Sequence, residues 1–323
     1  MKRRDFITLL GGAAATWALP LSAQQRRMAK VGVLYPGIAS ALPARLAGLG
    51  AGLQASNYRD EIEIIPRSAD GDPSRLSALA TELVERKAEI IVAISPAAVR
   101  AAQSATGTIP IIALDVESDP LGSGLLKSLS RPGGQVSGVF FDFPDFSKKW
   151  LELLKEAMPW VARVAVLWDP GTGTVQMKGA EEAAKALGVR LEIMEVRAAV
   201  NLDDAILAAS RNGADAVVML SSPVFGTNPQ HIAELTLRLR LPAVTLFPDF
   251  ARFGGLMAYG VNPVDVFRQG GTMVAKVLRG TKPAELPAEL PTKFQMVLNL
   301  KTAKAIGIEL PTSILLRADE VIE

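Results

Sequence analysis

Short apolar runs that stop abruptly at polar residues, with helix-length segments between them, most limit the folds open to this chain. Ile90–Ile94 and Ile109–Leu114 are the clearest such runs. Both are almost continuously apolar, as expected of strands buried on both faces of a parallel sheet. The first stops at Ser95-Pro96 and the second at Asp115 and Glu117. In open α/β sheets, ligands bind beyond the carboxyl ends of the strands. These ends therefore read as one wall of a ligand cleft.

The same rhythm runs through most of the chain. Strands are predicted at Val31–Tyr35, Ile62–Pro66, Ile90–Ile94, Ile109–Leu114 and Val136–Phe141. Helices are predicted between them at Ala41–Ser56, Pro73–Lys87 and Pro96–Ala105. A second set of strands follows at Arg163–Trp168, Arg190–Val196, Ala216–Leu220, Ala243–Phe247 and Gly255–Tyr259. Its helices are Val175–Leu187, Leu202–Asn212 and Pro229–Arg240. Strand–helix alternation of this kind predicts an α/β fold with two parallel sheets covered by helices.

The halves also match in detail. The third strand of each ends in Ser-Pro, at Ser95-Pro96 and Ser222-Pro223. A proline precedes each fourth strand, and Pro36-Gly37 and Pro170-Gly171 follow the first. Two similar Rossmann-like lobes facing each other are therefore expected. Beyond the alternation lie a helix at Pro263–Leu278, a strand at Phe294–Asn299 and a short helix at Thr302–Ile306. This tail is expected to cross to the first lobe and return. One lobe is then 29–141 with 260–291, and the other 142–259 with 292–323. The hinge falls near Phe141–Pro144, Tyr259–Pro263 and Leu290–Thr292, where Pro and Gly suit segments that absorb backbone rotation.

Several chemistries are excluded by composition. The chain has 323 residues, 49% of them apolar, and a net charge of +2. It has no basic run beyond its first residues, so nucleic acid is not an expected partner. The absence of cysteine rules out disulfides, thiolate metal sites, a Cys nucleophile and a Cys-borne lipid anchor. The single histidine, His231, falls in a predicted helix and has no visible acid partner. Asp169–Gly179 follows a strand and opens a helix but lacks the spacing of a phosphate loop. No catalytic or metal constellation stands out, no cofactor is expected, and binding is favoured over catalysis.

The first residues read as an export signal. Lys2-Arg3-Arg4 is a basic start, Phe6–Leu21 is apolar, and Arg3-Arg4-Asp5-Phe6-Ile7 has a twin-arginine pattern. Cleavage after Ala23 would leave an exported, periplasmic chain. No other apolar run approaches the roughly 20 residues of a membrane span.

Candidate ligand contacts follow from the strand ends. Ser95 is a good helix N-cap and Pro96 a good first helical residue. The helix start at Ser95, Pro96 and Ala97 then offers free N–H groups to a carboxylate. Ser222-Pro223 repeats the device, although Val224-Phe225-Gly226 reads more like a loop. Asp115, Glu117, Asp119, Asp142, Asp145 and Asp169 crowd the same edge and suit an ammonium or a hydroxyl-rich ligand. Asp115 and Asp142 are the ammonium candidates. Thr172 or Thr174 would serve as a hydroxyl donor. Tyr35, Phe140, Phe141, Phe143, Trp168, Phe225, Phe247 and Tyr259 lie at or beside strand ends and could cover a ring, with at most one of Phe140 and Phe141 facing a given site.

Three segments resemble a known family. They are RRDFITLLGGAAA in the signal, LSRPGGQVSGVFFD at Leu129–Asp142, and PTKFQMVLNLKTAKAIGIELPTSILLRADEVIE at Pro291–Glu323. They resemble ABC transporter substrate-binding proteins of the tryptophan/aromatic-amino-acid type. The resemblance implies a type I periplasmic-binding-protein fold with two lobes and three hinge strands. It implies a small ligand buried between the lobes, with a permease and an ATPase as partners. It places Tyr35, Ser95, Pro96, Ala97, Asp115, Phe141, Asp142, Asp169, Thr172, Ser221, Ser222 and Tyr259 along the cleft. The expected protein is a monomer that meets the membrane only through its transporter. The alternatives are an exported sensor serving a membrane receptor and a two-domain α/β transferase.

Overall fold

The computed structural model describes residues 28–58, 60–141 and 143–323. The residues expected to form an export signal lie outside the described residues. The first half runs β1 (Ala29–Tyr35), α1 (Leu42–Ala55), β2 (Ile62–Ser68), α2 (Leu76–Glu85), β3 (Ile90–Ile94), α3 (Ser95–Ala105), β4 (Ile111–Asp115) and β5 (Val136–Phe140). It forms one parallel sheet in the order β2-β1-β3-β4-β5. Central β3 and β4 are buried along their whole length, which is why both read as unbroken apolar runs. Pro66 is tolerated because β2 is an edge strand and need not donate from every residue. β4 starts at Ile111 instead of Ile109, just after Pro110, which has no N–H to give a ladder.

The second half runs α4 (Phe143–Ala157), β6 (Arg163–Trp168), α5 (Val175–Leu187), β7 (Arg190–Glu195), α6 (Leu202–Arg211), β8 (Ala216–Met219), α7 (Pro223–Gly226), α8 (Pro229–Arg238), β9 (Ala243–Thr245), α9 (Pro248–Arg252) and β10 (Met257–Gly260). Then come α10 (Pro263–Leu278), β11 (Gln295–Asn299), α11 (Leu300–Ile306), α12 (Thr312–Leu315) and β12 (Glu320–Ile322). The second sheet has the order β12-β11-β10-β9-β8-β6-β7. Its strands from β10 to β7 are parallel. β11 returns antiparallel against β10, and β12 lies parallel to β11.

Helix α4 is absent from the sequence reading, which takes Phe141–Pro144 as hinge. Pro144 falls in the first turn of the helix, where a missing N–H costs nothing. Trp150, Leu151, Leu154 and Ala157 form its buried stripe, and it packs on α5. Helix α10 packs on α1 over the first sheet. There the backbones touch: a Cβ on Gly52 would overlap the Arg268 carbonyl, and one on Gly271 the Leu49 carbonyl.

The chain passes between the sheets three times. It goes from β5 to α4, from β10 to α10, and back along 286–294 into β11. The last passage runs beside β5, where Val139 bridges to Glu289 and Ser137 Oγ donates to the Leu286 carbonyl at 2.8 Å.

Candidate functional site

The carboxyl ends of the two sheets meet. Gln176, on the first turn of α5, ties them together. Its Nε2 donates to the carbonyls of Glu117 (3.2 Å) and Ser221 (3.0 Å), and its Oε1 accepts from Ser221 N at 2.6 Å. Ser221 Oγ lies 3.4 Å from Glu117 Oε1, and Arg100 Nη2 donates to the Gly171 carbonyl at 3.3 Å. Ser221 therefore works as a bridge across the cleft. The lobes are closed on each other.

Two carboxyls lie buried at this seam. Asp115 is held by its own turn, accepting from Glu117 N (3.0 Å), Ser118 N (3.0 Å) and Ser118 Oγ (2.5 Å). The expected ammonium partner Asp115 is thus occupied by the fold, as an Asp that caps a turn commonly is. Glu117 differs. Its carboxyl faces that of Asp115, one oxygen meets Ser221, and Oε2 is buried with no geometric hydrogen bond. Burial pushes both carboxyls up, and the charge of Asp115 pushes Glu117 further, well above its ordinary 4.5. The other ammonium candidate, Asp142, lies outside the described residues.

Ser95 does not cap its helix. It opens α3 with φ 76°, its Oγ is buried without a partner, and the N-cap position falls on Ile94, which makes no side-chain bond. Ser95, Pro96 and Ala97 line a cavity of about 180 Å³ with Asp169, Thr172 and Pro223 across from them. Ser222 is the true cap, accepting from Val224 N at 3.0 Å and donating to Asp169 Oδ2 at 2.6 Å. It opens the short helix α7 where a loop is expected from sequence. Asp169 also accepts from Gly171 N at 2.8 Å, and Thr172 Oγ1 donates to the Asp169 carbonyl at 2.8 Å. Asp169, Thr172 and Ser222 thus satisfy one another.

Tyr35 ends β1 in a second, smaller chamber of about 60 Å³. Glu117, Arg45, Leu246, Phe247 and Phe267 line it too. Burial pushes the Tyr35 phenol up, Arg45 draws it down, and Glu117 pushes it up again. Both charges therefore bear on one hydroxyl. Pro223 and Thr227 belong to the walls of both cavities.

Phe141 and Tyr259, expected to cover a ligand, pack together where the chain passes between the sheets. Phe141, Tyr259 and Phe294 come one from each passage between the sheets. They gather around Phe146, at centroid distances of 4.3, 5.7 and 4.9 Å. Trp150 Nε1 donates to the Tyr259 carbonyl at 2.7 Å. Adjacent strand residues point to opposite faces. Phe140 accordingly goes to one side of the first sheet and Phe141 to the other.

The model of the family described as ABC transporter substrate binding protein matches residues 30–322. The chain belongs to this family. Its members are binding proteins, not enzymes. A tyrosine-binding protein of Clostridioides difficile is 24% identical over 261 residues, 80% of this chain and 74% of that one. The ABC domain of a Streptococcus pneumonia protein in complex with L-Trp is 26% identical. The match has a TM-score of 0.83 and covers 92% of this chain and 100% of that one. A conserved domain protein of Vibrio cholerae is 25% identical with a TM-score of 0.84, covering 91% and 100%. The fold is the two-lobed periplasmic-binding fold, shared at 14% identity and a TM-score of 0.61 with a glucose-galactose binding protein of Geobacillus stearothermophilus.

For a substrate-binding protein, the seam between the lobes is where the chemistry of recognition belongs. Tyr35, Ser95, Pro96, Ala97, Asp115, Asp169, Thr172, Ser221 and Ser222 all reach it. Gln176 and Arg45 are not among the residues expected from sequence. Both sit on helices and reach the seam only through packing, with no motif beside them. Glu117 is expected there with the other acidic residues, but Asp115 is preferred as the ammonium partner.

Proposed function

We propose that this protein is the periplasmic receptor of an ABC importer and captures a free aromatic amino acid between its lobes. The observation that carries the reading is a pair of buried polar atoms without partners at the seam, Ser95 Oγ and Glu117 Oε2. Buried polar groups are normally hydrogen-bonded, so an unpaired hydroxyl in one chamber and an unpaired carboxyl oxygen in the chamber that shares its Pro223 and Thr227 walls call for a ligand. A zwitterion answers both. Its ammonium pairs with Glu117 and its carboxylate takes the Ser95 hydroxyl and the first N–H groups of α3. Its side chain enters the apolar chamber of Phe247 and Phe267. The tyrosine-binding and L-Trp-bound relatives support an aromatic side chain.

The chambers of about 180 and 60 Å³ are smaller than the roughly 300 Å³ or more of a usual ligand site, so the walls have to move apart to admit and hold an amino acid. Entry requires the lobes, 29–141 with 260–291 and 142–259 with 292–323, to part about the three passages. The closed form then buries the ligand and presents it to a permease powered by an ATPase. The basic, apolar start of the chain supports export.

Calorimetric titration tests the reading with L-tyrosine and L-tryptophan beside tyramine and 4-hydroxyphenylpropionate. The amino acids are expected to bind and the analogues lacking one charged group are not. Equal binding of tyramine, or binding of sugars alone, would overturn it.

A further inference from the structure

One charged group at the seam is left over from the recognition of a zwitterion. Arg45, on α1, lines the same apolar chamber as Glu117. Its guanidinium carbon stands 5.5 Å from the centroid of the Tyr35 ring, and Nη1 donates to the Ala41 carbonyl at 2.6 Å. Among the described residues no carboxylate lies within ion-pair distance of it. A guanidinium carries five N–H donors and no acceptor. The Ala41 and Tyr35 contacts fix its plane and use one of those donors. Apart from Glu117, Thr227 and the Tyr35 hydroxyl the chamber wall is aliphatic and aromatic, so Arg45 is a directed source of hydrogen bonds in a largely apolar compartment. It also lines the outer groove with Ile38 and Asn228, which puts it at the boundary between chamber and solvent.

We propose that Arg45 is a specificity-determining residue, which selects aromatic amino acids carrying an oxygen acceptor at the far end of the side chain. This rests on the reading of the cleft as an amino-acid site. With the ammonium on Glu117 and the ring among Phe247, Leu246 and Phe267, the tip of the side chain meets the guanidinium. A phenol oxygen accepts from it. A phenyl ring leaves it unmatched, and an indole N–H offers a donor to a donor. Sites built to bond a hydroxyl discriminate strongly against analogues lacking it.

The test measures the dissociation constants of L-tyrosine, L-phenylalanine and L-tryptophan by titration calorimetry, for the wild-type chain and for Arg45→Met and Arg45→Lys. Wild type is expected to prefer tyrosine over phenylalanine by about ten- to a hundredfold, the worth of one charge-assisted hydrogen bond. Tryptophan is expected to be weaker than tyrosine as well. Arg45→Met should bring the tyrosine and phenylalanine affinities within about threefold by weakening tyrosine alone, and Arg45→Lys should restore part of the preference. Phenylalanine binding by Arg45→Met reports that the cleft is intact. Equal wild-type affinities for tyrosine and phenylalanine overturn the proposal while leaving the amino-acid site standing. An equal loss of both ligands in Arg45→Met also overturns it, because it makes Arg45 a structural support of Tyr35. Failure of the wild-type chain to bind any of the three overturns the amino-acid site and this proposal with it.

Discussion

Ser95-Pro96 and Ser222-Pro223 are the same dipeptide at the same strand end of two similar lobes, and the fold uses them in opposite ways. Ser222 has extended backbone, caps α7 through Val224 N and donates to Asp169. Its hydrogen-bonding capacity is taken up inside the protein. Ser95 sits at φ 76°, caps nothing, and keeps a buried hydroxyl without a partner in front of an eleven-residue helix. A non-glycine residue held in that conformation costs about 1–3 kcal/mol and persists only where its surroundings impose it. One serine finishes its lobe, and the other leaves its lobe unfinished until a ligand arrives. The same division separates Asp115, held by its turn, from Glu117, which is not.

The largest effect that sharpens this contrast belongs to Glu117. Glu117→Gln removes the charge facing the ligand ammonium, and breaking such a buried pair costs about 2–5 kcal/mol. Titration calorimetry should show at least about thirtyfold weaker amino-acid binding, with Asp115→Asn acting mainly on stability. The opposite pattern would reverse their roles. A pH dependence follows from the raised Glu117 carboxyl. Below 4.5 it is protonated in both folded and unfolded chains and contributes nothing. As pH rises past that value the unfolded chain ionises while the ligand-free folded chain holds its proton, so stability falls until the folded value is passed. A ligand ammonium favours the ionised form, so affinity should rise over the same window with release of a proton. Titrations in buffers of different ionisation enthalpy would detect that proton, and Glu117→Gln should abolish its release.

Ser95→Ala comes next. It should weaken binding by about 1.5–3 kcal/mol, the worth of a hydrogen bond to a charged group. The melting temperature of the ligand-free protein should stay nearly unchanged, since no bond is lost. Ser222→Ala should do the reverse, with about 1–2 kcal/mol of stability lost with the cap and the Asp169 bond. Ligand affinity should stay within about twofold. If both variants moved the same quantity, the contrast would break. The smallest effect is that of Ser95→Gly, expected to raise ligand-free stability by about 0.5–1 kcal/mol as the positive φ is relieved. A fall in denaturant midpoint would show that the conformation carries no strain.

Most of the fold was legible because parallel strands must be apolar on both faces. β3 and α5 appear in the sequence with the bounds found in the structure. The stripe of Trp150, Leu151 and Leu154 in α4 was equally legible but was masked by the turn-like Asp142-Phe143-Pro144. The site was legible only as far as strand ends reach. Ser-Pro marks a helix start, yet only the backbone angle at residue 95 decides whether the hydroxyl turns inward to cap or outward. Asp115 and Glu117 differ by which one the turn captures. Arg45 and Gln176 arrive from helices through packing, for which no local pattern exists. Phe141 and Tyr259 show the converse. A ring at a strand end has two faces to choose from, and the three passages between the sheets claim these two.

The crossing of α1 and α10 has a consequence for how the molecule comes into being. The helix that closes over β3, β4 and β5 begins at Pro263, after all of β6 to β10. As the chain emerges from its N-terminus, residues 28–141 have only α1 on that face, and Leu114 lacks its cover until α10 has been made. The first lobe cannot mature until β6 to β10 of the second have been made. Such long-range closure slows folding, and it makes the two lobes kinetic partners at birth, reaching the native state in one late, shared step.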